Sequence, residues 1–459
     1  MLTLYDEFAG WGGSSWGATR IPGVEAKFAA NHKQIAVDVH ALNFPRADHY
    51  CGDVASTTIT RFPRADLFWA SPACPPWTNA RGVRRDFDRS TQGVLFGETI
   101  PDPTASRARA LMEEIPRYLA HWVRRGRPVL AGVVENVVQV RAWDQWSRWL
   151  GEIRALGYET RVIALNSAHV VGYTGKRVPQ SRDRAYVAYW LRSLGRTPDW
   201  DKWLRPRAWC PTCEEHVQAL QVFKRPRVDM GTYGAQYVYR CPRSTCRHRE
   251  VEPEVLGAWA AIDWSADPGA RIGDRPLRAY KDPVSGKTVQ LPLAPATLAR
   301  IQSGLDRQVT TRRGGVKTAA YPLSQAMPPF SAGGFHHGLV GPPGSHLVVP
   351  YYTTGSTARS VAEPLGTLTT KDRFALLGRP AVPVPTVEEC TYRMFSAREV
   401  GSGMAFPPDY KVLGTATDQV RGFGNAVTPP SSEVQIAALV EAVTGEQLDR
   451  YAAAAAAPA

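Results

Sequence analysis

Up to about residue 190 the apolar positions fall in short runs divided by longer stretches with helical spacing. Leu2-Thr3-Leu4-Tyr5, Ala65-Asp66-Leu67-Phe68-Trp69-Ala70 and Val129-Leu130-Ala131-Gly132-Val133-Val134 each have the length of a strand and end in a polar or glycine-rich turn. Runs of this kind predict strands buried on both faces. The segment Ser106 to Arg125 predicts an amphipathic helix, with Pro116 marking a kink. Strands alternating with helices predict an α/β fold for residues 1–191, with a parallel, doubly wound sheet. Such sheets bind ligands at the carboxyl ends of their strands.

From residue 192 to about 350 the pattern breaks. Pro, Gly, Arg and aromatic residues dominate, and a second, irregular domain is expected there. Strand-like patterning returns between about 350 and 375. Helical spacing returns from Ser396 to Glu441, with a glycine turn expected at Gly422 to Gly424 and a last helix opening near Gly424. The region 351–445 therefore reads as the end of the irregular domain and a return to the first one. An Ala-rich tail over 446–459 is expected to fray.

The 459 residues are 44% apolar, enough for two domains. No apolar run approaches the roughly 20 residues of a membrane helix. The N-terminus lacks a charged stretch followed by an apolar one. The expectation is a soluble, cytoplasmic protein without membrane contact. Lys and Arg number 55 against 42 Asp and Glu, a net charge of +13. That balance suits a polyanion such as nucleic acid, although an Arg-rich genome produces the same excess. Of seven cysteines, Cys210, Cys213, Cys241 and Cys246 form two pairs, and Cys51, Cys74 and Cys390 are scattered. With no secretion signal, this reads as a metal site plus free thiols, with Cys51 and Cys390 structural.

Five segments carry candidate chemistry. Asp6-Glu7-Phe8-Ala9-Gly10-Trp11-Gly12-Gly13 follows the first strand, where glycines let backbone approach a ligand, as in many nucleotide-binding turns and in plain tight turns. Ser71-Pro72-Ala73-Cys74-Pro75-Pro76 sets a cysteine in a stiff loop at the ligand edge, as a nucleophile requires; an inert buried thiol fits too. Glu135-Asn136-Val137 places a carboxylate at the same edge. In Gln180-Ser181-Arg182-Asp183-Arg184 two arginines two apart in a strand share a face and can point at one ligand. Gly424-Asn425-Ala426-Val427-Thr428 is the fifth segment, preceded by Phe406-Pro407-Pro408-Asp409-Tyr410.

In order and spacing these segments resemble the cytosine-C5 DNA methyltransferases, over residues 1 to about 190 and about 350 to 440. Thr367-Leu368-Thr369-Thr370, and Arg393 with Glu399, resemble two further blocks of that family. The resemblance implies a doubly wound mixed sheet of the class I methyltransferase type, joined to a target-recognition region. It implies S-adenosylmethionine beside Phe8, Gly10, Gly12 and Gly13, with Asn31, Asp53, Val54, Pro72, Asn425 and Val427 completing the pocket. It further implies double-stranded DNA as substrate, a monomer, and a bacterial or phage-infected host cell, and leaves open a cognate restriction endonuclease as partner.

The resemblance also assigns roles. Cytosine C6 is a poor electrophile, so a thiolate adds there only if N3 is held by a proton donor. Cys74 becomes the nucleophile and Glu135 the group on N3. Arg184 and Arg182 bind O2 and stabilise the developing charge. The base has to leave the duplex stack first. Three departures stand out: Ala73 precedes the cysteine where the family has Pro, Pro75 follows it where the family has Gln, and Asn31-His32 replaces the acidic residue expected after the second strand.

Cys210-Pro-Thr-Cys213 and Cys241-x4-Cys246 have zinc-ribbon spacing, so the four thiolates are expected to hold a structural zinc, with His216 or His248 able to replace one of them. The insert spans 208–249 and lies amid nine Lys and Arg residues between Arg205 and Arg249, which suits phosphate contacts. Two alternatives remain: a transfer-RNA cytosine-C5 methyltransferase and a catalytically silent DNA-binding protein. A Rossmann oxidoreductase is disfavoured because no Gly-x-Gly-x-x-Gly follows the first strand.

Overall fold

Seven strands build the central sheet: β1 Leu2–Glu7, β2 Val24–Asn31, β3 Asp48–Cys51, β4 Leu67–Ala70, β5 Ala131–Asn136, β6 Tyr158–Asn166 and β7 Asp183–Leu191. Their order is β3-β2-β1-β4-β5-β7-β6. This computed structural model describes residues 1–72, 110–281, 286–309, 347–350, 359–361, 363–365, 374–378 and 386–450. Strands β1 to β5 run parallel, while β7 is antiparallel to both β5 and β6. The sheet is therefore mixed, and its parallel part matches the alternation of strands and helices in the sequence.

Successive side chains leave opposite faces of a strand, so each apolar run feeds two cores. Leu4, Leu67, Trp69, Val133, Ala188 and Trp190 pack on one side. Tyr5, Phe68, Ala70, Val134, Val187 and Tyr189 pack on the other. The second face is covered by the helices Glu114–Val123 and Trp146–Ala155, through residues such as Ile115, Tyr118, Trp149 and Ile153. The first is covered by the helix Pro429–Thr444, which is buried from Pro429 through Ala442. The end of the chain is thus an inner layer of the first domain.

The helical stretch around Pro116 is interrupted: residues 110–112 are helical, Glu113 is a turn, and a new helix starts at Glu114. Pro116 sits in the first turn of Glu114–Val123, where backbone N–H groups have no partner within the helix, so its missing donor costs nothing there. The C-terminal region forms three helices, Ala397–Gly403, Ala416–Asn425 and Pro429–Thr444. The expected glycine turn is not a turn: Gly422 and Gly424 lie inside the middle helix. A Cβ on Gly422 would meet the Trp11 indole at 2.0 Å, so glycine makes room for that ring.

The irregular region contains β8 Arg207–Cys210 paired with β9 Glu215–Gln218, and a sheet of β10 Leu220–Phe223, β11 Tyr237–Arg240 and β12 Glu250–Val251. Strands Leu347–Pro350, Arg359–Ser360, Phe374–Gly378 and Thr391–Met394 form a four-stranded sheet where strand patterning returned. Cys74, the block Thr367 to Thr370 and the Ala-rich tail from 451 lie outside the described residues. Among the described residues no helix is long and apolar enough to cross a membrane.

Candidate functional site

The turn after β1 is held open from beneath. Asp6, fully buried, accepts hydrogen bonds on Oδ2 from the hydroxyls of Ser14 (2.5 Å) and Ser15 (2.6 Å) in the helix Gly13–Ala18. His40 Nε2 lies 3.0 Å from Ser15 Oγ, and its Nδ1 lies 2.8 Å from His49 Nε2. Burial pushes Asp6 up to about 6, against the pull of the serine hydroxyls. This buried chain of polar groups fixes the distance between strand and helix, leaving the intervening turn to bulge outward. Phe8 and Gly12 hold left-handed backbone, φ 61° and 77°, a conformation that a phenylalanine adopts only under constraint. Among the described residues a Cβ at Gly10 would find only Phe8 O, at 3.9 Å, so these residues leave the outer wall of the turn open to a ligand.

Other expected pocket residues play different parts. Gly13 faces inward: a Cβ there would lie 2.0 Å from Val427 O. Val427 is buried in the core under the sheet, so its backbone, not its side chain, borders the turn. Asn425 is exposed and closes the helix Ala416–Asn425; the last helix opens at Pro429. Asn31 uses Oδ1 to accept from Lys33 N (3.0 Å) at the end of β2. Asp53 stands half-exposed beyond β3, and Val54 beneath it is buried. Cys51 is exposed and Cys390 buried, so the expectation of two structural thiols fits Cys390 better. Tyr410 hydrogen-bonds Trp11 O through its hydroxyl and Ser432 donates to Ser14 O, which folds the chain's end back onto the turn.

Glu135 and Arg184 meet at the carboxyl end of β5. Arg184 Nε lies 3.0 Å from Glu135 Oε1, and both side chains are mostly covered. The antiparallel register sets Glu135 opposite Tyr186 and Asn136 opposite Ala185, which brings Arg184 alongside the carboxylate. Asn136 Nδ2 donates to Pro72 O (3.3 Å), fastening the end of β5 to the loop that leaves β4. Arg182 has protein partners of its own. It precedes β7, is buried, and donates to the carbonyls of Gly424 (3.2 Å) and Ala426 (3.3 Å). It ties the late Gly-Asn-Ala-Val segment to the sheet.

Arg393 grips Glu399 with two hydrogen bonds of 2.7 and 2.8 Å. Burial tends to raise Glu399, but Arg393 and the backbone N–H groups of Ser396 and Asp263 outweigh it and hold the carboxyl below the usual range.

The sulfurs of Cys210, Cys213, Cys241 and Cys246 all lie within 4.8 Å of one another. Glu214 and Arg247, each directly after the second cysteine of a pair, hold left-handed backbone at φ 51° and 55°, which turns both knuckles toward a common centre. Neither histidine joins them. His216 Nδ1 lies 3.0 Å from Glu254 Oε1, and His248 Nδ1 lies 3.1 Å from Cys241 O.

Residues 2–101 match the family model of the C-5 cytosine-specific DNA methylases. The chain is 25% identical over 195 residues to the type II methyltransferase M.NlaX of Neisseria lactamica, covering 42% of this chain and 53% of that protein. It is 26% identical over 187 residues to the type II methyltransferase M1.ScrFI of Lactococcus lactis subsp. cremoris, covering 40% of each. The matched part thus spans about half the length of these relatives or less. In fold the chain is similar to the DNMT2 of Spodoptera frugiperda (TM-score 0.51, 13% identity, 96% of this chain and 100% of that one). It is similar also to the S. pombe Dnmt2 methyltransferase (TM-score 0.50, 13% identity, 97% and 100%). The glycine turn, the Glu-Asn-Val edge and the folded-back C-terminus are in the expected places, and residues 2–101 of this chain are similar to the C-5 cytosine-specific DNA methylases.

Proposed function

We propose that this chain transfers a methyl group from S-adenosylmethionine to C5 of cytosine in double-stranded DNA. The observation that carries this reading is the Glu135–Arg184 pair at the carboxyl edge of the sheet, with Asn136 fastened to Pro72 two residues before Cys74. A carboxylate and a guanidinium side by side suit the N3 and O2 edge of a cytosine. On this reading Cys74 adds to C6, Glu135 holds N3 and its proton, and Arg184 takes the charge that develops on O2. The proton on C5 leaves and the Cys74–C6 bond breaks to restore the aromatic ring. The base has to be extruded from the duplex to reach these groups, at a cost of a few kcal/mol.

The residues around the first turn fit S-adenosylmethionine: the described residues leave the wall at Gly10 open, Phe8 and Gly12 hold backbone that curves around a ligand, and Asp53 stands at the next strand end but one. Bound there, the sulfonium supplies an electrophilic methyl group. The four sulfurs fit a zinc ion. A tetrahedron with Zn–S near 2.3 Å sets sulfurs about 3.8 Å apart, and Cys213 and Cys241 lie at 4.0 Å. We assign the zinc a structural role in the target-recognition region, whose basic residues suit phosphate contacts.

Incubating the purified chain with duplex DNA and methyl-labelled S-adenosylmethionine tests the reading. Label should appear as 5-methylcytosine, Cys74→Ser should abolish it, and 5-fluorocytosine DNA should trap a covalent adduct. Transfer at another base position, or undiminished transfer by Cys74→Ser, overturns it. Metal analysis should find about one zinc per chain.

A further inference from the structure

The cysteine module leans on both flanks of the Glu135–Arg184 pair. On one flank, β11 runs from Tyr237 to Arg240, and Cys241 follows it directly. At the other end of that strand the Tyr237 hydroxyl donates to Asp183 Oδ1 (3.3 Å), and the Tyr233 N–H donates to the same oxygen (3.0 Å). Asp183 is the residue before Arg184, and its backbone carbonyl accepts from Arg184 Nη1 at 2.9 Å. On the other flank, Arg141 lies in the short turn Val138–Ala142 that follows Glu135-Asn136-Val137. It clamps Asp229 of the module with Nε at 2.8 Å and Nη2 at 3.1 Å. His169 packs edge-on against Tyr233 and Tyr239, with ring centroids 4.4 and 5.2 Å away.

Arg184 is a long side chain that has to hold its guanidinium beside Glu135, and its backbone is fixed by an aspartate whose acceptor is occupied by two donors from the cysteine module. Tyr237 is fully buried, so its hydroxyl has no water to turn to. The same strand ends in the sulfur cluster.

We propose that the four-cysteine module is a positioning device for the catalytic pair: Asp183 and Tyr237 form the joint, and closure of the sulfur cluster sets where Arg184 stands. Asp183 and Tyr237 are positioning residues that act through Arg184. The proposal rests on the methyltransferase reading for its kinetic consequence. Its structural consequence is independent of that reading.

The test uses the full chain with Tyr237→Phe, which removes one hydroxyl, and Asp183→Asn, read by steady-state kinetics and amide hydrogen exchange. Each variant should lower kcat by roughly tenfold to a hundredfold, the scale of a misplaced catalytic group. KM for DNA and for S-adenosylmethionine should stay within about twofold, as expected when ground-state binding is intact. Exchange should rise in peptides covering 133–137 and 183–187 and stay unchanged in the helix Pro429–Thr444. Treating the wild-type chain with a zinc chelator should reproduce that exchange pattern and add little to Asp183→Asn. Wild-type kcat in both variants overturns the proposal, as does a loss confined to KM for DNA, which would make the module a DNA-gripping surface alone. If Asp183→Asn exposes the C-terminal helix to exchange, Tyr237→Phe decides. If the wild-type chain methylates nothing, the methyltransferase reading falls, and exchange at 183–187 in Tyr237→Phe still decides the positioning claim.

Discussion

Arg184 Nε stands 3.0 Å from Glu135 Oε1 across the antiparallel β5–β7 ladder, in a pair that keeps only 14% and 12% of its side-chain surface exposed. Such a pair is built into the end of the sheet, where two charges of opposite sign can hold neighbouring atoms of one heterocycle. Replacing Arg184 by Ala should lower kcat by about a hundredfold to a thousandfold, the usual cost of losing one preorganised donor. Glu135→Gln should lower it by a comparable factor. Duplex-DNA binding measured by gel shift should stay near wild type for both, and a parallel loss of binding would place the pair in recognition instead of chemistry.

Arg182 should behave differently. Its guanidinium bonds the carbonyls of Gly424 and Ala426 inside the protein, so Arg182→Ala leaves buried acceptors unpaired at roughly 1–3 kcal/mol each. The expected result is a melting temperature lowered by several degrees, with a rise in KM for S-adenosylmethionine as the C-terminal segment loosens over the turn. Arg184→Ala also strands the covered Glu135 carboxylate and should lose stability too, but its KM for S-adenosylmethionine should stay near wild type. An equal rise in that KM for both variants would contradict the separate roles assigned to these arginines.

Strands β4 and β5 were legible because they bury both faces, and continuous apolar runs such as Leu67 to Ala70 admit few other readings, whereas β3, with no buried residue, offered no such run. The Glu-Asn-Val and arginine segments were legible as chemistry at strand ends. Spacing in sequence could not separate Arg182 from Arg184, since a face is shared only once the strand has begun, and β7 begins at Asp183. Nor could it show that Gly13 and Val427 touch, because that contact joins residues more than four hundred positions apart. The buried support beneath the turn, Asp6 with Ser14, Ser15 and His40, had a signal in the residues flanking the glycines. Reading it needed the helix Gly13–Ala18 to set both hydroxyls over one carboxylate.

Gly13 offers a sharper test of that closure. Its hydrogen occupies the space against Val427 O that a methyl group would enter at 2.0 Å, and the obstacle is backbone. Gly13→Ala should cost about 1–3 kcal/mol, the range for overpacking a well-filled core. Chemical denaturation measures the loss directly. A stability equal to wild type would show that the last helix slides freely against the first.

Glu7 supplies a pH signature. It is buried at the end of β1, accepts from the Tyr5 hydroxyl on Oε1 at 2.8 Å, and has no hydrogen-bond partner for Oε2 among the described residues. Burial pushes its carboxyl up to about 8, from an ordinary value near 4.5. Between those values the folded chain keeps a proton that the unfolded chain has released. Stability therefore falls as pH rises through this window and is fully reduced above about 8. His40 acts on the acid side. Burial holds it neutral down to about 3, so the unfolded chain takes up the proton first and stability falls as pH drops below the ordinary histidine value. Glu7→Gln removes the alkaline contribution and leaves the acid one. The melting temperature of the variant relative to wild type should rise from about pH 5 and level off above about 8. A difference that stays flat across that range would mean that Glu7 ionises in the folded chain as readily as in water.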